Sequence, residues 1–427
     1  MKHHHTTILS LLAILFICIT QAAKSHAENW PQWRGPSNDG ISSETNLPTK
    51  WSATQGVLWK VKMPGMGGAT PIIWGDRIFV TSAQGDELVL MCISTKGETL
   101  WNKTIAKGNL SARSDEGNAA SPTPTTDGKH IWVCFGNGDL ACVDFEGTIV
   151  WKVSLPERYG KFHYQFGMHM TPVLHGDRLY LQLIHSVPAY VIALDKATGK
   201  EVWKQERKSD GRAECEHSYA SPVIWQSGEK AYLVAHGNDY ATAHDLKDGS
   251  EIWRLGDLNP KSKYNATLRF VTTPLASKDF IIIPTAKNGP VVAVKPDATG
   301  MITTGSKHEQ WRKPSNTPDV PSPLIHDGLL YLCRENGVLM CLDVKTGEEQ
   351  YPPQRTHDHR HRASPVYADG KIYLTSRDGV VSVVKAGRKF ELLSQNKMED
   401  SISASPVISG GRIYLRGFEH LYAIGEK

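Results

Sequence analysis

The densest chemistry-bearing stretch of the chain is Thr356-His357-Asp358-His359-Arg360-His361-Arg362. On an extended backbone alternate side chains share a face, so His357, His359 and His361 would point the same way. Three imidazoles beside Asp358 are a donor set for zinc or copper. Arg360 and Arg362 argue against a cation, and i, i+2, i+4 spacing on one strand holds the rings roughly 7 Å apart. With Arg113 and Arg269, the same loop reads as a patch for an anionic ligand, or simply as solvated surface. Metal ligation by His357, His359 and His361 and anion binding both stay open.

Elsewhere the usual catalytic signatures are missing from the sequence. There is no Gly-x-Ser-x-Gly, no metal-protease helix motif and no Gly-rich phosphate loop. Asp115-Glu116 and Glu399-Asp400 are adjacent acids in connecting segments, which spacing alone does not make a catalytic pair. His163, His169 and His185, with Tyr164 and Phe166, form a second histidine–aromatic region that reads best as ring packing. Of seven cysteines, Cys134 and Cys142 stand in CFGNGDLAC, and Cys333 and Cys341 in CRENGVLMC. The Asn-Gly in each is a hairpin signal, so each set would face across adjacent strands, or nearly so. A cross-strand disulfide in an oxidising compartment and two buried unpaired thiols are both open readings.

What positions these groups is a repeat. A Ser or Thr followed by Pro and a short apolar run recurs at Pro71, Pro122, Pro172, Pro222, Pro274, Pro323, Pro365 and Pro406. The steps are 51, 50, 50, 52, 49, 42 and 41 residues, the period of four-stranded propeller blades. The unit beginning at Pro172 shows the plan. TPVLHGDRLYLQL gives two strands around His175-Gly176-Asp177, and YVIALDKATGKEVWK gives two more around an Asp195–Gly199 turn. Trp101, Trp151, Trp203, Trp253 and Trp311 fall in or near fourth-strand positions, with Tyr351 in that place in the sixth unit. Such residues would pack one blade against the next. The eighth unit stops after three strands, while Val57-Leu58-Trp59-Lys60 has the fourth-strand pattern ahead of the first Pro. The expectation is an all-β, eight-bladed propeller of four-stranded antiparallel blades. Pairing of the N-terminal strand with the last blade would close the ring and remove the open edges.

The flanks divide into residues 1–27, a signal peptide; 28–56, a segment covering one face; and 57–427, the propeller. Lys2, the apolar run Ile8–Ile19 and Ser25-His26-Ala27 make the export signal, with a retained anchor as the other reading. Cleavage would leave no transmembrane span. The formal charge of +4 falls to about +2 without Lys2 and Lys24, so no nucleic-acid partner is expected. WPQWRGP, residues 30–36, is either a cover for an apolar patch or a partner motif.

The run A-L-D-K-A-T-G-K-E-V-W, Ala193 to Trp203, resembles the tryptophan-bearing repeat of the pyrroloquinoline-quinone-like propellers. The likeness extends from about Trp51 to Ile424. It implies eight blades and an exported, periplasmic or extracellular protein. That superfamily holds both quinoprotein alcohol dehydrogenases and the non-catalytic BamB assembly factor. The adjacent-cysteine pair and the C-x-x-C-H haem site of the dehydrogenases have no counterpart here. The expectation is therefore a non-catalytic, monomeric binding module for a protein or envelope polymer, without a cofactor. A quinone- or metal-dependent oxidoreductase, using pyrroloquinoline quinone with calcium at the channel mouth, is the alternative. Either function would sit in the irregular loops just before each Pro. His169, His217, Arg113, Arg269, His359, His361 and Asp400 are the ligand-face candidates in those loops.

Overall fold

A computed structural model describes residues 27–112, 117–164, 167–185, 188–285 and 289–426. Eight small antiparallel sheets follow one another around an axis, each wound outward from its first strand. Blade 3 is representative: Val173–His175, Arg178–Leu183, Tyr190–Asp195 and Glu201–Glu206. The two middle strands are buried almost throughout, because both faces pack on neighbouring blades; the outer strand alternates exposed and buried positions. The first strands of neighbouring blades approach one another and so surround the axis.

Closure follows the expected route. Val57–Lys62 is the outer strand of blade 8, antiparallel to His420–Ile424, with Trp59 opposite Ala423 and Lys62 opposite His420. Blade 4 carries a fifth strand, Gly300–Ile302, which runs parallel to its outer strand Glu251–Leu255. The one α-helix among the described residues is the turn Leu155–Tyr159, started by Pro156 and capped by Ser154, whose hydroxyl accepts from Glu157 N–H.

At the axis the blades are joined by a closed ring of hydrogen bonds. The N–H of Thr70 donates to the hydroxyl of Thr123 (3.0 Å), Thr123 to Thr171 (3.3 Å), Thr171 to Ser221 (2.9 Å) and Ser221 to Thr273 (3.0 Å). Thr273 donates to Ser322 (3.0 Å), Ser322 to Ser364 (2.9 Å), Ser364 to Ser405 (3.0 Å) and Ser405 back to Thr70 (3.2 Å). Each member precedes a Pro, which holds it extended and starts the strand where no ladder partner needs an N–H. This corrects one anchor of the repeat. The second blade enters the ring through Thr123-Pro124, so Ser121-Pro122 lies two residues upstream of the true register.

Farther out, a tryptophan lies over a glycine of the next blade. The indole N–H of Trp59 donates to Thr95 O, Trp101 to Phe145 O, Trp151 to Lys196 O, Trp203 to Leu246 O and Trp311 to Val344 O, all at 2.8–3.1 Å. Under each ring sits the turn glycine, Gly97, Gly147, Gly199, Gly249 or Gly347. At Gly199 the positive φ of 67° favours glycine, and a Cβ would come within 2.7 Å of the Trp151 ring. The pattern changes at three junctions. Trp253 Nε1 finds no partner, where blade 4 takes its fifth strand. Tyr351 replaces tryptophan in blade 6 and packs on Phe390. Blade 7's outer strand, Leu392–Lys397, has no aromatic residue.

The segment ahead of the ring crosses the face where first and second strands turn. Trp30 exchanges backbone hydrogen bonds with Ile73 of blade 1, and Pro31 O accepts from Thr126 N–H of blade 2. Three residues on, the buried Arg34 guanidinium donates to Pro323 O of blade 6 (2.6 Å) and to Asp39 O. Blades 2 and 6 are diametrically opposite in a ring of eight, so Gln32 and Trp33 lie across the axis. Glu44 carboxylate oxygens then accept from Gly410 and Gly411 N–H in the first turn of blade 8.

The facing-cysteine expectation fails on register. Cys134 stands opposite Leu140, and Cys142 opposite Trp132; Cys333 stands opposite Leu339, and Cys341 opposite Tyr331. Each hairpin loop puts the second cysteine two residues beyond the facing position, a diagonal of about 7–8 Å, beyond the usual Cα span of a disulfide. Cys92, Cys134, Cys142, Cys215, Cys333 and Cys341 are all free and buried. Burial pushes the Cys92, Cys142 and Cys333 thiols up to about 12 and Cys341 to about 11. The seventh cysteine, Cys18, and the signal-peptide reading lie outside the described residues.

Two outcomes follow for the purified protein. Alkylation without reductant should label all six of these thiols after denaturation and react slowly with the native protein; a disulfide-linked Cys134–Cys142 peptide would refute the register. Gly199→Ala and Gly176→Ala both place a Cβ at positive φ, but nothing lies within 4 Å of the Gly176 position. Gly199→Ala should therefore cost about 2 kcal/mol more in urea denaturation, and equal midpoints would contradict the docking role of Trp151.

Candidate functional site

The hydroxyl ring opens into a cavity of about 200 Å³ on the axis, lined by all eight of its members. Counting back two residues from each gives Gly68, Ser121, His169, Tyr219, Val271, Val320, Arg362 and Ser403, and these line it too. The period of two is that of an extended chain: every second side chain faces the axis as the connections descend into the first strands. Trp33 lines the cavity from the segment that crosses the opposite end. The space is a funnel with Trp33 at one end, a tier of hydroxyls, a mixed tier above it and a charged mouth.

The mouth is a chain of charges running from one blade to the next. Arg269 lies 3.6 Å from Glu214 and 3.9 Å from Asp319; Arg362 lies 3.7 Å from Glu335. The Glu335 carboxyl is raised to about 7, first by its hydrogen bond with Asp319, then by burial and the Asp319 charge, against the pull of Arg362 and Arg360. Two neighbouring acids thus sit between two guanidiniums. Beside them His169 and Tyr219 approach with ring centroids 6.3 Å apart. Behind Tyr219, Tyr164 packs against His185 and His217, and burial lowers both imidazoles, His185 to about 4. This second histidine–aromatic region is a wall of packed rings, although Phe166 lies outside the described residues.

Of the residues singled out in the sequence, the structure brings His169 and Arg269 to the cavity. His217 is half-buried behind Tyr219, with ring centroids 6.5 Å apart. Arg113 lies outside the described residues. Asp400 is a structural cap, with its carboxylate accepting from the N–H groups of Phe418, Glu419 and His420.

The His357–His361 run stays clustered, with the His357 ring centroid 6.2 Å from that of His359 and 6.5 Å from that of His361. His357 Nε2 lies 3.1 Å from Asp378, and His359 Nδ1 lies 3.7 Å from it. Burial raises the Asp378 carboxyl, but hydrogen bonds from Ser376, His357 and Lys397 outweigh that and hold it below the carboxylate range. His361 is fully buried, with Nδ1 at 2.9 Å from His359 O, and burial lowers it to about 4. The rings are neighbours, but their nitrogens face different partners: His357 Nε2 and His359 Nδ1 face Asp378, and His361 Nδ1 faces the His359 carbonyl. Among the described residues no three His, Cys, Asp or Glu side chains are placed to hold a metal.

Sequence reasoning missed Tyr219, Asp319 and the ring itself, and treated Arg362 only as a neighbour of histidines. Counting back in twos from each ring Ser or Thr recovers Tyr219 and Arg362. WPQWRGP marked Trp33 as part of a covering segment, but its place on the axis depends on a crossing between blades 2 and 6.

Comparison with known proteins agrees with this architecture. A family model described as outer membrane protein assembly factor BamB matches residues 136–301 and 297–426. BamB from Moraxella catarrhalis is 13% identical, with a TM-score of 0.63, over 87% of this chain and 97% of that one. The quinohemoprotein alcohol dehydrogenase from Comamonas testosteroni is 13% identical, with a TM-score of 0.66, over 94% of this chain and 81% of that one. A europium-containing methanol dehydrogenase is 12% identical, with a TM-score of 0.70, over 92% of this chain and 90% of that one. No curated protein matches in sequence. At such identities the solved structures speak for the fold alone, whereas the family model spans most of the chain. The chain belongs to the pyrroloquinoline-quinone-like family of eight-bladed propellers that this model describes.

Proposed function

We propose that the protein is an exported, non-catalytic binding module that receives a protein or polymer partner of the cell envelope on its loop-rich face. The observation that carries this reading is the charged mouth. Glu214, Arg269, Asp319, Glu335 and Arg362 come from successive loops and turns and are linked across blade junctions. A rim already held in place loses little freedom on association, and its fixed pattern of charge selects a complementary surface. The family's description as an assembly factor supports the same reading, as do the leader-like first residues.

The oxidoreductase reading draws on the dehydrogenase-like fold and on the funnel with its aromatic floor. The residues present do not fit pyrroloquinoline quinone with calcium. The sequence has no adjacent cysteines to pack on a quinone ring. The carboxylates at the mouth, Asp319 and Glu335, are engaged with each other and with Arg269 and Arg362, where a divalent cation would meet two guanidiniums.

A photoreactive amino acid at His359, half-exposed in the loop before blade 7, should give discrete adducts in intact envelopes. The same label at Lys200, in a turn at the opposite end of blade 3, should give none. Equal labelling at both positions, or none at His359, sinks the partner reading. A saturable, stoichiometric change in absorbance and melting on adding pyrroloquinoline quinone with calcium would favour the enzyme.

A further inference from the structure

We propose that the base of the funnel is a binding site for a small oxyanion, a carboxylate or a phosphate. This goes beyond the partner reading and does not depend on it, since the rim can receive a partner whatever the base holds.

The ring hydroxyls carry the argument. Each accepts one backbone N–H from the preceding blade. A hydroxyl that accepts from the main chain still has its own O–H to donate. All eight side chains face the cavity, and their residues are only 2–6% exposed. Eight O–H donors therefore border one space. Above them Ser403 lines the same cavity, and its buried Oγ has no hydrogen-bond partner. A surplus of donors calls for an acceptor-rich guest, and hydrogen bonds to an ionised acceptor are about twice as strong as neutral ones.

Charge and size narrow the class. Arg269 and Arg362 line the wall; Arg269 is partnered by Glu214 and by Asp319, which itself shares the lining, and Arg362 by Glu335 outside it. The guanidiniums favour an anion at the base, while Asp319 keeps the upper wall from being a purely cationic sink. The cavity, about 200 Å³, has room for a phosphate or a short dicarboxylate. Trp33 lines the end opposite the charged mouth.

Isothermal titration of the whole protein with sodium succinate and with sodium phosphate, at constant ionic strength and with sodium chloride as control, tests the site. Saturable one-site binding of at least one is expected, and the tighter of the two identifies carboxylate or phosphate as the natural class. Thr273→Val removes one ring O–H and should weaken that binding about tenfold, whereas Thr273→Ser should keep it. Should Thr273→Val fail to fold, Arg269→Gln carries the same reading, with the same expected loss. Absence of saturable binding by both anions overturns the proposal, and so does wild-type affinity in a folded Thr273→Val protein.

Discussion

A ring of blades closes only if each sheet finds its neighbour at the axis, where the first strands crowd together. The N–H-to-hydroxyl circuit from Thr70 through Ser405 and back meets that constraint. Each bond satisfies a backbone donor that would otherwise be buried unpaired, at a cost of about 1–3 kcal/mol. Only Ser and Thr are both small enough for this position and able to accept there. The circuit in turn dictates the rest of the channel: side chains two residues upstream must face the axis, and larger groups are confined to the mouth, where the ring widens.

The outer junctions solve a different problem with different chemistry. There the blades diverge, and a large flat side chain fills the gap. Trp151 over Gly199 joins an apolar face to one directed N–H bond. Where the pair is altered, other structure compensates, as with the fifth strand on blade 4 and Phe390 against Tyr351. Scaffold and site are thus separable. The outer contacts hold the wheel together, and the axial ones shape a cavity.

Much of the fold was legible because its determinants are local and repeated. The Ser/Thr-Pro steps, the Asp195–Gly199 type of turn and the Trp positions each report short-range geometry, and the closing strand could be found by its missing counterpart in blade 8. Errors arose where one or two residues of register decided the matter. Ser121-Pro122 mimicked the Thr123-Pro124 anchor, and the C-x7-C spacing concealed a two-residue offset between Cys134 and Cys142. The site was legible only in part. His169 and Arg269 stood out by type and position, but the histidine run from His357 to His361 drew attention to a loop in which Asp378 already engages His357 and His359. Ser and Thr, the residues that build the base, looked like plain repeat punctuation.

The pairing of Val57–Lys62 with His420–Ile424 has a temporal meaning. Synthesis is vectorial, so the strand made first must wait for the strand made last. Until then, blade 1 lacks the neighbour that supplies Trp59, and blade 8 has a bare outer edge. Earlier blades can stack as they emerge, but the wheel becomes a wheel only in one late step. That step has the longest loop to close, and a nascent chain held open at that stage would offer its two ends to a chaperone.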